Sequence, residues 1–197
     1  MTIQPADAAI TLRQPCLQDG AAMCQLVQET TPLDPNSCYA YLLLCTHFSD
    51  TCVVADEGGD LIGFVSAYRP PTDPDVLFVW QVGVKPVARG RGLAKRMIRN
   101  LLERDTCESV NFLEATVTPS NVASQALFRS LADEHDVRCA ERCWFPAETF
   151  GSGEHEAEVL FQPQQVALGR RDIKPVLHRS MTIPAMVLLD ILLADPR

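Results

Sequence analysis

The spacing of apolar residues changes period several times along the chain, and each change marks an element. Residues 10–13 form a short apolar run that predicts a strand. Asp19 then precedes Ala22, Leu26 and Val27 at helical intervals, which predicts an amphipathic helix with Asp19 as its N-cap. Pro32 and Pro35 turn the next stretch into a loop, because proline restricts both itself and the residue before it. A second helix is predicted over 37–47, with Tyr39, Leu42 and Leu43 recurring on one face. The period then shortens. The β-branched run 51–55, the loop 56–60 and the run 61–68 predict a β-hairpin.

Three prolines make 69–75 a loop, and 77–84 reads as a strand. Residues 92–103 form a basic amphipathic helix with Leu93, Met97, Ile98 and Leu101 inward. A strand over 111–118 follows, then a helix capped by Ser120 or Asn121 with Ala126, Leu127 and Leu131 inward. Residues 139–145 and 156–161 close the pattern as a strand pair. The order is ααβββαβαββ with one strand ahead of it, which is an α/β single domain. The strand–helix–strand unit at 77–118 requires a parallel pairing inside a mixed sheet. Residues 1–9 are expected to be a flexible lead-in, 10–161 the domain, and 162–197 a C-terminal extension to which the sequence assigns no role.

Composition narrows this picture. With 197 residues, 47% hydrophobic and 21% charged, the chain suits one soluble domain with an appended tail. A net charge of −8 disfavours nucleic acid as a partner and suits a cationic substrate. Eight cysteines lie mostly in apolar runs with no Cys-x-x-Cys pair, and the first residues lack a basic start followed by an apolar stretch. Reduced thiols in a cytoplasm are therefore expected. The longest apolar run, from Met186 to Ala194, is interrupted by Asp190 and too short to cross a bilayer, so no membrane is expected. His135, Cys139 and Cys143 recur every four residues, but the stretch from Cys139 reads as a strand on which they would not converge. No metal is expected.

One segment points to chemistry. In Arg89-Gly90-Arg91-Gly92-Leu93-Ala94 the glycines let backbone approach a ligand, and the first N–H groups of the next helix converge on an anion. Arg89 and Arg91 add charge that can reach phosphate. Read alone, the segment is equally an ordinary strand-to-helix turn with solvated arginines. It follows the strand Val79-Trp80-Gln81-Val82-Gly83-Val84, it lacks the Lys-Ser/Thr of a nucleoside-triphosphate loop, and it sits mid-chain. In that setting it resembles motif A of the GCN5-related N-acetyltransferase (GNAT) family, (Gln/Arg)-x-x-Gly-x-(Gly/Ala), which Arg89, Gly92 and Ala94 match.

The resemblance implies the GNAT fold, a mixed twisted sheet flanked by helices, with acetyl-CoA as co-substrate. It further implies that amides from Arg89 to Ala94 bind the CoA pyrophosphate and that backbone from Gln81 to Val84 pairs with the pantetheine arm. An N–H near Val82 would polarise the thioester carbonyl. Asn121 and Phe128 would border CoA. The position at which the family often carries a thiolate-protonating Tyr is Phe128 here, so that role passes to another group, to water, or lapses. The family resemblance also suggests a homodimer.

A narrower resemblance covers separate blocks. Asp34-Pro35-Asn36-Ser37, the stretch from Tyr39 to Phe48, Phe78-Val79-Trp80-Gln81-Val82, Leu113 to Asn121 and Phe145 to Glu156 are similar to the acceptor region of diaminobutyrate acetyltransferases. That implies transfer of acetyl to the γ-amine of a small diamino acid, in the synthesis of the osmolyte ectoine. Carboxylates suit ammonium groups, so Asp34, Glu114 and Glu158 are candidates. Tyr39 and Trp80 offer a hydrogen bond and an aromatic wall, and His155 a proton relay. His47 reads as structural. Each candidate has a bland alternative: a cap for Asp34, core for Trp80 and Tyr39, surface for His155 and Glu158. Another small amine or a peptide N-terminus remains an alternative acceptor, as does a non-catalytic CoA-binding module.

Overall fold

The computed structural model describes residues 9–30, 36–151 and 155–163. Residues 1–8 of the expected lead-in, residues 31–35 with Asp34, and residues 164–197 with the run from Met186 lie outside the described residues, whereas Gln162 and Pro163, expected in the extension, are described. Within them the chain runs β1 (Ile10–Arg13), α1 (Asp19–Gln28), α2 (Cys38–His47), β2 (Val53–Glu57), β3 (Asp60–Tyr68), β4 (Val76–Val84), α3 (Leu93–Leu102), β5 (Phe112–Val117), α4 (Val122–Glu134), β6 (Cys139–Phe145) and β7 (Glu158–Pro163). The predicted order of elements is the observed one. The hairpin loop is shorter than expected, because Glu57 pairs with Asp60 and leaves Gly58-Gly59 as the turn.

The strands form one sheet in the order β1-β2-β3-β4-β5-β7-β6. Only β4 and β5 pair in parallel, as the α3 crossover requires; the other pairings are antiparallel. One face carries α1 and α2, whose Met23, Leu26, Tyr41 and Leu44 pack with Phe64 of β3. The other carries α3 and α4, whose Leu93, Met97, Ile98, Phe128 and Leu131 pack with Leu77 and Val79. No helix among the described residues is long and apolar enough to cross a membrane.

Several expectations need correction. Asp19 is the first residue of α1 rather than its cap; its carboxylate instead accepts from Arg13 (2.7 and 2.8 Å) and from the Cys16 amide (2.7 Å). In α2 the buried face is Tyr41, Leu44 and Cys45, not Tyr39, Leu42 and Leu43. That helix is apolar almost all round, so periodicity had no polar face from which to set its phase. In α4 the buried face is Phe128, Leu131 and Ala132, and Ala126 is exposed. Cys24 and Cys38 are joined in a disulfide, against the expectation of reduced thiols. Packing α1 on α2 brings their Cα atoms to 5.3 Å, within bonding range, a proximity that a separation of 14 in sequence does not announce.

Two features of the sheet prepare a site. The register between β3 and β4 jumps from Ser66↔Gln81 to Ala67↔Val79, leaving Trp80 as an extra, bulged residue. Such a bulge bends its strand and raises the local twist. Accordingly, β4 pairs with β5 only at Val76, Leu77 and Phe78. Beyond Phe78 the two parallel strands diverge.

Candidate active site

The divergence of β4 and β5 opens a wedge in the middle of the sheet, with a cavity of about 330 Å³. Its walls are Val79 to Val82 on β4 and Ala115 to Thr118 on β5 and just beyond it. Backbone direction follows from register. The Lys85 N–H donates to Ile62 O at 2.9 Å, on the β3 side. Strand alternation then turns the N–H and C=O groups of Val84 and Val82 away from β3, towards the wedge. The Gln81 side chain is buried on the opposite side and accepts from the Tyr41 hydroxyl at 3.1 Å. By the same alternation the Gln81 backbone faces β3, where it pairs with Ser66, so against expectation Gln81 turns neither its side-chain amide nor its own N–H and C=O to the wedge; Val82 and Val84 do.

The turn from Arg89 to Ala94 lies between the end of β4 and the start of α3. Gly90 (φ 76°) and Gly92 (φ 68°) are both left-handed, a conformation that other residues adopt only under strain. Gly92 is the N-cap and its carbonyl accepts from Arg96, so the N–H groups of Leu93, Ala94 and Lys95 precede the first closed helical turn. These donors, with the positive end of the helix, suit an anion. The arginines are engaged in holding the turn. Arg89 Nε donates to Val84 O at 3.4 Å, and Arg91 pairs with Glu57 at 2.7 Å. The Arg91 hydrogen bond holds the Glu57 carboxyl below the ordinary carboxylate range.

A second cavity, of about 740 Å³, opens on the α2 side of the sheet. Trp80, Thr116 and Phe145 line both cavities, so the two are adjoining rooms. Trp80 is 42% exposed, which removes the reading of it as core. Glu114 lines the larger cavity, is 8% exposed, and accepts from Gln162 Nε2 at 2.5 Å. Two arginines reach the same cavity. Arg69 is committed to structure, donating to Pro74 O, Thr106 O and Ser109 Oγ. Arg142 lies with its guanidinium 4.5 Å from the Trp144 ring centre.

Other predicted residues fall as follows. His155 lines the smaller cavity, stacked on Phe150 with ring centres 3.9 Å apart. Its Nδ1 lies 2.6 Å from Glu156 O; a carbonyl only accepts, so Nδ1 carries the proton and Nε2 is the basic nitrogen of the neutral ring. Glu158 and Phe128 line the same cavity, and Phe128 is buried. Asn121 also lines it and caps α4, accepting from the Ser124 amide at 3.1 Å. Tyr39 lines neither cavity and is 67% exposed, so the structure does not bring it to the others. His47 ends α2, exposed. Asp34 lies outside the described residues. Sequence reasoning missed Arg142 and Gln162, which strand register brings to the side of Glu114. Thr116 and Phe145 fell inside the acceptor-like blocks without being given a role of their own.

The chain's similarity to known proteins agrees with this geometry. The family model described as "Acetyltransferase (GNAT) family" matches residues 20–132. The L-2,4-diaminobutyric acid acetyltransferase of Bordetella parapertussis is 51% identical over 161 residues, covering 81% of this chain and 87% of that one. Its counterpart from Halalkalibacterium halodurans is 49% identical over 156 residues, covering 79% and 82%. Among solved structures, the diaminobutyrate acetyltransferase of Paenibacillus lautus, in complex with L-2,4-diaminobutyric acid and coenzyme A, superposes with a TM-score of 0.79 at 40% identity. That match covers 85% of this chain and 99% of the other. With the wedge, the glycine turn and this breadth of identity together, the chain belongs to the GNAT family of acetyltransferases.

Proposed function

We propose that this protein transfers acetyl from acetyl-CoA to the γ-amine of L-2,4-diaminobutyrate, giving N4-acetyl-2,4-diaminobutyrate as a step of ectoine synthesis in the cytoplasm, and that it works as a homodimer. The observation that carries the reading is the meeting of two rooms at Trp80, Thr116 and Phe145. One is a strand wedge suited to a thioester arm. The other is walled by aromatics and a buried carboxylate suited to an ammonium group. The names of relatives near 50% identity support the choice of acceptor.

In this reading the amides of residues 89–94 hold the pyrophosphate, and the arm lies along β4 with the carbonyl oxygen near the Val82 N–H. Glu114 receives ammonium charge, a role also proposed for Asp34, and Trp80 forms the wall between Glu114 and the thioester. An alkyl ammonium has a pKa of about 10, so a proton must leave before nitrogen attacks. His155 Nε2 takes it, and Glu158 lines the same cavity. The amine lone pair adds to the thioester carbon, and negative charge collects on the carbonyl oxygen, where a fixed N–H is worth most. The C–S bond then breaks and CoA leaves as thiolate. Phe128 offers that thiolate no proton, so it departs as the anion or takes one from water.

Purified protein given acetyl-CoA and L-2,4-diaminobutyrate should release CoA thiol in a one-to-one ratio with acetylated product. Absence of turnover on this acceptor, beside good turnover on a polyamine or a peptide N-terminus, would overturn the acceptor and leave the family standing.

A further inference from the structure

The chemistry proposed above leaves one group of the acceptor without a host. An α-amino acid carries a carboxylate beside its α-ammonium; Glu114 repels it, and Trp80 offers it one neutral indole N–H and no charge. We propose that Arg142 holds the acceptor's α-carboxylate and so makes the site selective for a diamino acid over a plain diamine. This assignment rests on the acceptor reading of the preceding section.

Three observations carry it. First, register puts Arg142 on the right face. Thr116 pairs with Leu160 and Leu160 with Arg142, so the three form one cross-strand row; Glu114 lies two residues before Thr116, on the same face. Two strand spacings separate Arg142 from Thr116, about 10 Å, which a long side chain can partly close. Glu114 and Arg142 accordingly line one cavity. Second, Arg69, the other arginine of that cavity, is committed to two carbonyls and a serine hydroxyl. Arg142 packs against the Trp144 ring, and among the described residues no carboxylate pairs with it. Third, the guanidinium carbon lies 4.5 Å from the Trp144 ring centre, an aromatic contact that restrains a planar group carrying five N–H donors. A planar fork held in that way suits bidentate capture of a carboxylate. The acidic Glu114 and the basic Arg142 then sort the two ends of a zwitterion, the first taking ammonium and the second carboxylate.

The test compares L-2,4-diaminobutyrate with 1,3-diaminopropane, which is the same molecule without its carboxylate. Wild-type protein should prefer the amino acid strongly in kcat/KM. Arg142→Met should raise KM for diaminobutyrate about tenfold or more, while kcat/KM for diaminopropane changes less than about threefold. Arg142→Lys, which keeps the charge without the fork, should fall between wild type and the Met variant. The thermal unfolding midpoint of each variant is compared with that of wild type, so that loss of fold is recognised as such. An unchanged preference in the two folded variants, or an equal fall on both amines, overturns the assignment. Wild-type protein that acetylates neither amine overturns the acceptor reading itself, a result distinct from either.

Discussion

In the proposed function Glu114 is the carboxylate that receives the acceptor's ammonium. A buried carboxylate is costly unless partners compensate it, and Gln162 supplies one hydrogen bond at 2.5 Å. In the present reading the substrate ammonium supplies the charge. Glu114→Gln should therefore raise KM for the acceptor tenfold or more, leaving KM for acetyl-CoA close to wild type; steady-state kinetics in both substrates separates the two. Asp19 gives a prediction of a different kind. Its hydrogen bond to Arg13, then the Cys16 amide, lower its pKa from 3.8 to about 2. A depressed folded-state pKa contributes stability that is present above the unfolded value and is lost as pH falls through the folded one. The contribution should vanish between about pH 4 and pH 2, and Asp19→Asn should flatten that part of a chemical-denaturation series. Glu114 was legible in sequence because a lone acid in an apolar strand is conspicuous. Arg142 was not, since a basic residue in an edge strand is ordinary until register places it opposite Leu160 and Thr116.

At the scale of elements, the turn at 89–94 and the α1–α2 pair make opposite lessons. The turn was readable because two closely spaced glycines before a helix have a backbone meaning, and both are left-handed in the structure. Open space surrounds Gly92, so Gly92→Val tests conformation rather than collision. Forcing a β-branched residue there costs on the order of 1–3 kcal/mol, and KM for acetyl-CoA should rise about tenfold with the acceptor KM little changed. The Cys24–Cys38 link was unreadable, because it depends on how two helices pack rather than on any spacing motif. It closes a loop of 15 residues, counting both cysteines, from a separation of 14. Cross-linking such a loop stabilises by roughly 3 kcal/mol in the chain-entropy account. Cys38→Ser should lower the thermal midpoint measurably, and a reducing agent should do the same to wild type while leaving the variant unmoved. The phase of α2 was hidden for a third reason: its sequence is apolar on nearly every side, and packing on α1, Val54 and Phe64 decides which side is buried.

Over the whole molecule, element order was legible because strand and helix periods differ sharply, and the parallel β4–β5 pair followed from the intervening helix. The opening between those strands was not. It depends on the bulge at Trp80, which no residue type signals, and which sets β4 on a course away from β5 after only three paired residues. That divergence is where fold becomes function: it creates the wedge, turns Val82 and Val84 backbone into it, and joins it to the cavity of Glu114 and Arg142. The central claim is that this junction delivers acetyl to one particular nitrogen. The most direct measurement is the NMR identification of the acetylated nitrogen after incubation of the protein with acetyl-CoA and L-2,4-diaminobutyrate. Acetyl on the γ-nitrogen alone is the predicted result. Acetyl on the α-nitrogen, or an unmodified acceptor alongside bound CoA, would contradict it.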